Sequence, residues 1–374
     1  MTENLFKNYI YPIATLSGSI IGVGFLSLPY ITLQVGIWPM IFWFLLLTVL
    51  MVYMNVILGK ISVNTPDLKR FPGFVGFYLG KKAEIITSFL VVATSIGVLL
   101  IFLIIGGQFL NAILNPILGG TILFYTILYL LVASFIIYFG IKIVSKIELL
   151  TLILLLIALI TIFIKGFSQI KMENIFLESV KIDSWKTFFL PYGAIIFSLS
   201  TGYIPGTEEM LKGNKKLLKK IIIISTLIPA IIYLLFIFLI LGISGTETTE
   251  SALTGLSNFL GREVAIIALF MGMVVSFVAF VTNGLLLKET FVYDMGFKEN
   301  MSWFIVCISP LILFLIGFNS FISLISFIGS VFSGIGILLI LMMYKKVGGK
   351  KVIIYPLMSI FTLGVIYEII SFIY

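Results

Sequence analysis

The sequence predicts an all-α integral membrane protein with eleven transmembrane helices, and three observations carry that prediction. The chain has 374 residues, of which 60% are hydrophobic and only 11% charged, and its mean hydropathy is +1.22. Apolar runs of about 20 residues, the length that crosses hydrocarbon, recur from end to end. The alternation of a barrel strand is absent, so the spans are helical. A soluble domain this apolar would turn greasy surface to water on every side.

In chain order the spans lie near 9–31, 37–59, 84–110, 121–140, 147–164, 187–208, 219–242, 263–287, 301–317, 321–343 and 352–373. The longest loops are 60–83, 165–186 and 243–262, none with room for a soluble domain, so residues 1–374 form a single transmembrane domain. The first span follows Lys7 in the manner of a signal peptide. It runs on for more than about 20 residues without a convincing cleavage site, which makes it a span.

Lysine and arginine set the orientation. Of the 24 basic residues, the alternation puts 19 on one side, including Lys7, Lys60, Arg70, Lys142, Lys212, Lys288 and Lys345. Lys165, Lys171, Lys181, Lys186 and Arg262 fall on the other. The positive-inside rule then places the N-terminus in the cytoplasm and the C-terminus outside a cell membrane crossed many times. The same topology explains the net charge of +8 without a nucleic-acid partner; the lipid bilayer is the partner. The Lys212–Lys220 cluster could bind anionic headgroups, but topology alone accounts for it. There is no histidine, so imidazole metal sites are excluded, and neither a metal nor a cofactor is expected. Cys307 is the sole cysteine. Glu368, near the outer end of the last span, is read as snorkelling to the interface, ahead of a role in a proton relay.

Two spans depart from the uniform Leu, Ile, Phe and Val pattern. Span 1 carries Ser17-Gly18-Ser19-Ile20-Ile21-Gly22-Val23-Gly24, and span 6 carries Phe197-Ser198-Leu199-Ser200-Thr201-Gly202. Both put glycine and hydroxyl residues at mid-membrane, where glycine forfeits helix propensity and bare backbone is costly. Close helix packing through Gly18-x-x-x-Gly22 would explain span 1 by itself. It does not require a matching break five spans later. Five is odd, so a second set of five enters the membrane inverted, and paired broken helices mark an inverted-repeat transporter and its midplane site. The repeats run about 9–164 and 187–343, with an extra helix at about 352–373.

Unwinding frees amide N–H groups and carbonyl oxygens. A half-helix N-terminus suits a carboxylate, and a C-terminus suits an ammonium group or Na⁺. A zwitterionic amino acid presents both charges on one carbon and needs no charged side chain.

At these residues the chain resembles the amino acid–polyamine–organocation transporter superfamily, which has the leucine-transporter fold. SGSIIGVGFLSLP at 17–29 is similar to that superfamily's first helix, GIKIVSKIE at 140–148 to its run entering the fifth, and FSLSTGYIPGTEEMLKGNKKLLKKIIII at 197–224 to its sixth helix and the basic loop beyond. Eleven spans and Val275-Ser276-Phe277 look most like the aromatic and hydroxy amino acid permease branch. The resemblance implies an amino acid substrate whose carboxylate meets amides of Gly22, Val23 and Gly24. Its ammonium would meet carbonyls near Ser19 and Ile20 and, in span 6, near Phe197 and Ser200, with Thr201 and Gly202 completing the site. Phe197 matches an aromatic gate. Glu208 and Glu209 match an acidic pair at the inner end of span 6, read either as partners of Lys212 or Lys216 or as an inner-gate latch.

The resemblance also implies coupling to H⁺ or Na⁺. Ser276 offers one hydroxyl to a sodium site, but Val275 stands where a threonine is common. Leu155 stands where proton-coupled relatives keep a lysine. H⁺ is therefore placed ahead of Na⁺ by default, and facilitated exchange stays open. The expected function is secondary transport of neutral or aromatic and hydroxy amino acids. The alternative is a non-transporting amino acid sensor such as a spore-germination receptor membrane subunit, where ten spans are more usual. A membrane enzyme is not expected, since Ser17 and Ser27 have no activating base.

Overall fold

The structure is a computed structural model that describes residues 6–66, 70–140, 144–176, 185–211 and 214–373. A π-helical turn, Phe6–Ile10, leads into α1 (Tyr11–Ile20). After a break come a 3₁₀ turn, Val23–Ser27, and α2 (Leu28–Val35), which opens on Leu28-Pro29 and stops at Gly36. Proline suits a helix start because its φ is already helical and its missing N–H would be unpaired there. Gly36 stops the helix at a φ of 84° that a side chain would strain. Then follow α3 (Ile37–Asn64), α4 (Phe71–Leu79), α5 (Lys81–Leu118), α6 (Ile122–Phe139) and α7 (Val144–Gly166). The second half contains α8 (Trp185–Leu199), α9 (Ile204–Met210), α10 (Lys215–Ser244), α11 (Arg262–Glu289) and α12 (Glu299–Leu315). It closes with α13 (Phe321–Phe327), a π-helical stretch Ile328–Ser333, α14 (Gly334–Lys346) and α15 (Lys351–Ile373).

Eight of the described helices are long and apolar enough to cross a membrane, and the pair Asn8–Ile20 and Val23–Val35, bent by 49°, makes up to nine. Two apolar stretches, Ile153–Gln169 and Glu299–Leu315, are shorter; they correspond to the predicted fifth and ninth spans. The helices are apolar all round, so each buries one side in protein and turns the other outward. Trp38, Val49, Ile86 and Phe89 lie on such outer faces. Inside, small residues let helices approach closely. A Cβ on Gly272 of α11 would lie 2.7 Å from the Phe109 ring of α5, and one on Gly59 of α3 would lie 2.5 Å from Ile222 of α10. Helix α8 sits at the centre, against α2, α3, the 3₁₀ turn and the π stretch, while α10 packs on α1, α2 and α3.

Three expectations change. The predicted loop 60–83 contains α4, whose Phe74 and Val75 are buried; nine residues are too few to register as a span. The third span, expected over 84–110, is a helix of 38 residues, about 57 Å long at 1.5 Å per residue, so it projects beyond a core of about 30 Å. Glu368 does not snorkel. It is buried, with its carboxylate accepting a hydrogen bond from Ser330 Oγ at 3.3 Å, because the packing of α15 turns that face inward. Residues 141–143 of the GIKIVSKIE run, and Lys212, lie outside the described residues.

Candidate functional site

Helix α1 ends because Ile21 leaves the helical region, at φ −74° and ψ 90°, and Gly22 is extended, at φ −110° and ψ −168°. Ile21 N–H donates to Ser17 O and Gly22 N–H to Ile20 O, each at 2.9 Å. Val23 and Gly24 open the 3₁₀ turn, so their amides have no partner within it. The two glycines differ in surroundings. A Cβ on Gly22 would meet nothing within 4 Å, whereas one on Gly24 would lie 2.6 Å from the Phe197 ring and 2.8 Å from Ser198 Oγ. Gly22 borders open space, and Gly24 lets the first broken helix press on the second.

The second break lies between Leu199 and Ile204. Thr187–Met210 remains one apolar stretch long enough to cross a membrane, so the hydrogen-bond ladder is interrupted without the sharp bend of the first. Ser200 Oγ donates to Ile196 O at 2.6 Å, and Tyr203 N–H donates to Thr201 Oγ1 at 3.1 Å. Gly202, like Gly22, has nothing within 4 Å of an added Cβ.

The breaks meet. Ser19 Oγ and Thr201 Oγ1 are hydrogen-bonded at 2.9 Å across 182 residues of sequence. Tyr233 of α10, fully buried, donates to Ile20 O at 3.0 Å and to Ser198 O at 3.4 Å. One hydroxyl thus serves the carbonyl ends of both half-helices, where the negative poles of α1 and α8 converge. Its ring stacks on Phe25, with centroids 5.0 Å apart and planes 4° from parallel. The sequence reading missed Tyr233. Its signal was faint, a lone tyrosine in the aliphatic run after Pro229.

The remaining predicted residues fall as follows. Phe197 is half-buried against Gly24. Glu208 accepts from Ser62 Oγ of α3 at 2.7 Å, and Glu209 is exposed. Among the described residues the ion pairs are Arg70–Glu289 and Lys81–Glu84, so none joins Glu208 or Glu209 to Lys216. Ser276 is buried, donates to Met273 O at 2.8 Å and accepts from Tyr129 of α6 at 3.4 Å. Its hydroxyl is engaged by α6 and its own helix rather than by the first broken helix. Val275 instead lines a pocket with Val23, Phe25, Leu155, Ala158 and Gly272. No side chain lining it, Met271 included, carries an oxygen, so the pocket offers a bare cation no side-chain oxygen ligand.

Comparison with known proteins gives a consistent result. Residues 8–351 match the family described as transmembrane amino acid transporter protein. The crystal structure of MhsT in complex with L-phenylalanine is similar at a TM-score of 0.57 and 16% identity, covering 96% of this chain and 97% of that one. The inward-facing conformation of Mhp1 is similar at a TM-score of 0.68 and 13% identity, covering 89% of this chain and 75% of that one. No curated protein matches the sequence.

Proposed function

The chain belongs to the transmembrane amino acid transporter family, within the amino acid–polyamine–organocation superfamily, and from that premise we propose secondary transport of neutral amino acids by alternating access. It is a transporter rather than an enzyme. The observation that carries the finer reading is the junction of the two breaks, through Ser19, Thr201 and the shared Tyr233.

The substrate carboxylate is received by the amides of Val23 and Gly24, and by that of Gly22 once it releases Ile20 O. The ammonium is received by carbonyls at Ser19 and Ile20 on one side and at Phe197 and Ser200 on the other, beside Thr201 and Gly202. This assignment uses two dipole ends of opposite sign and no charged side chain, which favours a net-neutral substrate. Phe197 is the gate over it, and its aromatic face favours aromatic and hydroxy amino acids; MhsT, a protein of similar fold, was crystallised with L-phenylalanine. Glu208, held by Ser62, and its neighbour Glu209 form the inner latch. The shorter helices Ile153–Gln169 and Glu299–Leu315 complete eleven crossings, arranged as repeats of about 9–164 and 187–343 with one added helix. The basic residues put the N-terminus in the cytoplasm and the C-terminus outside the cell membrane. The apolar pocket at Leu155 and Val275, and the engagement of Ser276 elsewhere, favour H⁺ over Na⁺ as the coupling ion.

Reconstituted protein is expected to take up at least one radiolabelled amino acid saturably. If none of the twenty enters proteoliposomes, the proposal fails. Binding without counterflow would point to an amino acid sensor instead.

A further inference from the structure

We propose that Glu368 is the proton-binding residue of this transporter, in a site shared by α15, α8 and the π stretch Ile328–Ser333. The proposal rests on the transport reading above and deepens it, because it gives the coupling ion a place in the molecule.

The site is built from groups whose polar atoms are out of water. Glu368 is 8% exposed, and Ser326 and Ser330 from the neighbouring helix are 2% and 0% exposed. Ser330 Oγ reaches the carboxylate at 3.3 Å. Tyr192 Oη is buried with no hydrogen-bond partner, and the buried Ser326 hydroxyl faces the same carboxylate. Tyr192 comes from α8 and packs its hydroxyl end against Gly364, one helical turn before Glu368 on α15.

The charges nearby are few. Of the elements packed against this part of α15, α8 carries Tyr192 and, at its start, Lys186, whose side chain lies outside what the structure describes. The stretch Phe321–Ser333 contributes hydroxyls and no titratable group. On α15 itself the Tyr367 hydroxyl donates to Trp185 O at 3.3 Å. Tyr344, Lys345 and Lys346 of α14 sit at the far end, where Lys345 bonds Tyr355 at 3.1 Å. Tyr355 is thirteen residues, about 20 Å, along the helix from Glu368. Among the described residues no lysine or arginine is paired with Glu368. A bare carboxylate in such a place is costly, and a proton removes that cost.

The arrangement also links the carboxyl to the gate. Ser330 follows Gly329, and a Cβ on Gly329 would collide with the carbonyl oxygen of Gly193 and lie 2.9 Å from Phe197 Cβ. A Cβ on Gly193 would in turn collide with Ser326 O and Ser330 Oγ. Backbone thus meets backbone between the serine-bearing turn and the half of α8 that ends at the break. When Glu368 releases its proton, the carboxylate gains acceptor capacity. The hydroxyls of Tyr192 and Ser326 are the donors at hand. Recruiting them draws α8 and the π turn toward α15 and moves Phe197. The turn is suited to this, since π-helical geometry is a local departure that recurs at functional sites.

The test compares wild type, Glu368→Gln and Glu263→Gln, the last a control at the first turn of α11. Infrared difference spectra of the purified proteins between acid and alkaline pH read the carboxyl directly. Wild type and Glu263→Gln are expected to lose a protonated C=O band on deprotonation, and Glu368→Gln to lack that band. The same proteins in liposomes are given a mixture of the twenty radiolabelled amino acids. Accumulation driven by an inside-alkaline pH gradient should fall in Glu368→Gln to the level of protein-free liposomes, while counterflow, which needs no ion gradient, stays measurable. A band that survives Glu368→Gln overturns the proposal, as does gradient-driven accumulation equal to wild type, or accumulation that follows Na⁺ instead. Absence of counterflow in wild type would sink the transport reading by itself, leaving the infrared result to decide whether Glu368 holds an exchangeable proton.

Discussion

Around Gly22 and Thr201 the interior offers hydroxyls, free amides and carbonyl ends. The side chains of the neighbouring pocket, among them Phe25, Leu155 and Val275, carry no oxygen or nitrogen. The two regions border the same 3₁₀ turn, so the contrast reflects side-chain choice rather than depth in the membrane. It teaches that a zwitterion and a bare cation make different demands. The first is met by backbone dipoles that a broken helix exposes. The second needs a cage of oxygens, to which the side chains of the pocket contribute none.

Four experiments break or sharpen this contrast. The largest effect is expected from Gly24→Leu, since even a Cβ there would lie 2.6 Å from the Phe197 ring. Uptake should drop to background while the protein still inserts and elutes as a single species; appreciable uptake would remove Gly24 from the junction. Tyr233→Phe comes next, because it takes one buried donor from two carbonyls. The cost is about 1–3 kcal/mol, so half-maximal uptake should need about tenfold more substrate. An unchanged concentration dependence would mean the Tyr233 hydroxyl is incidental. Ser19→Ala and Thr201→Ala should each have a smaller effect, and the double mutant should fall short of their sum by about 0.5–1.5 kcal/mol. Strict additivity would show that the two breaks do not communicate through this contact. The smallest effect is none: replacing Na⁺ with choline should leave uptake unaltered. A collapse of uptake would show sodium coupling and count against the contrast itself.

The two breaks were legible in the sequence, because glycines and hydroxyls at the middle of two apolar spans contradict helix propensity without any need for contacts. Ser200 and Thr201 fall at the second break, while the roles proposed for Phe197 and Ser200 came from the resemblance. Tyr233 was not legible. It is one of 16 tyrosines, in a helix so uniformly apolar that no periodicity marks its inner face. The bond from Ser62 to Glu208 was hidden because nothing in either segment names the other as partner. Ser276 was placed near the first broken helix by resemblance, yet its hydroxyl pairs with Met273 O and Tyr129 instead.

Hydropathy and two misplaced clusters of glycine and hydroxyl residues determined from sequence alone that the chain is helical, membrane-spanning and broken within two of its spans. Tertiary structure decided which face of each helix looks inward. It turned Glu368 into the protein, joined Ser19 to Thr201, and gathered Leu155 and Val275 around Val23. In lipid a helix that is apolar on every side has no solvent to orient it, so its rotation is set by how it fits its neighbours.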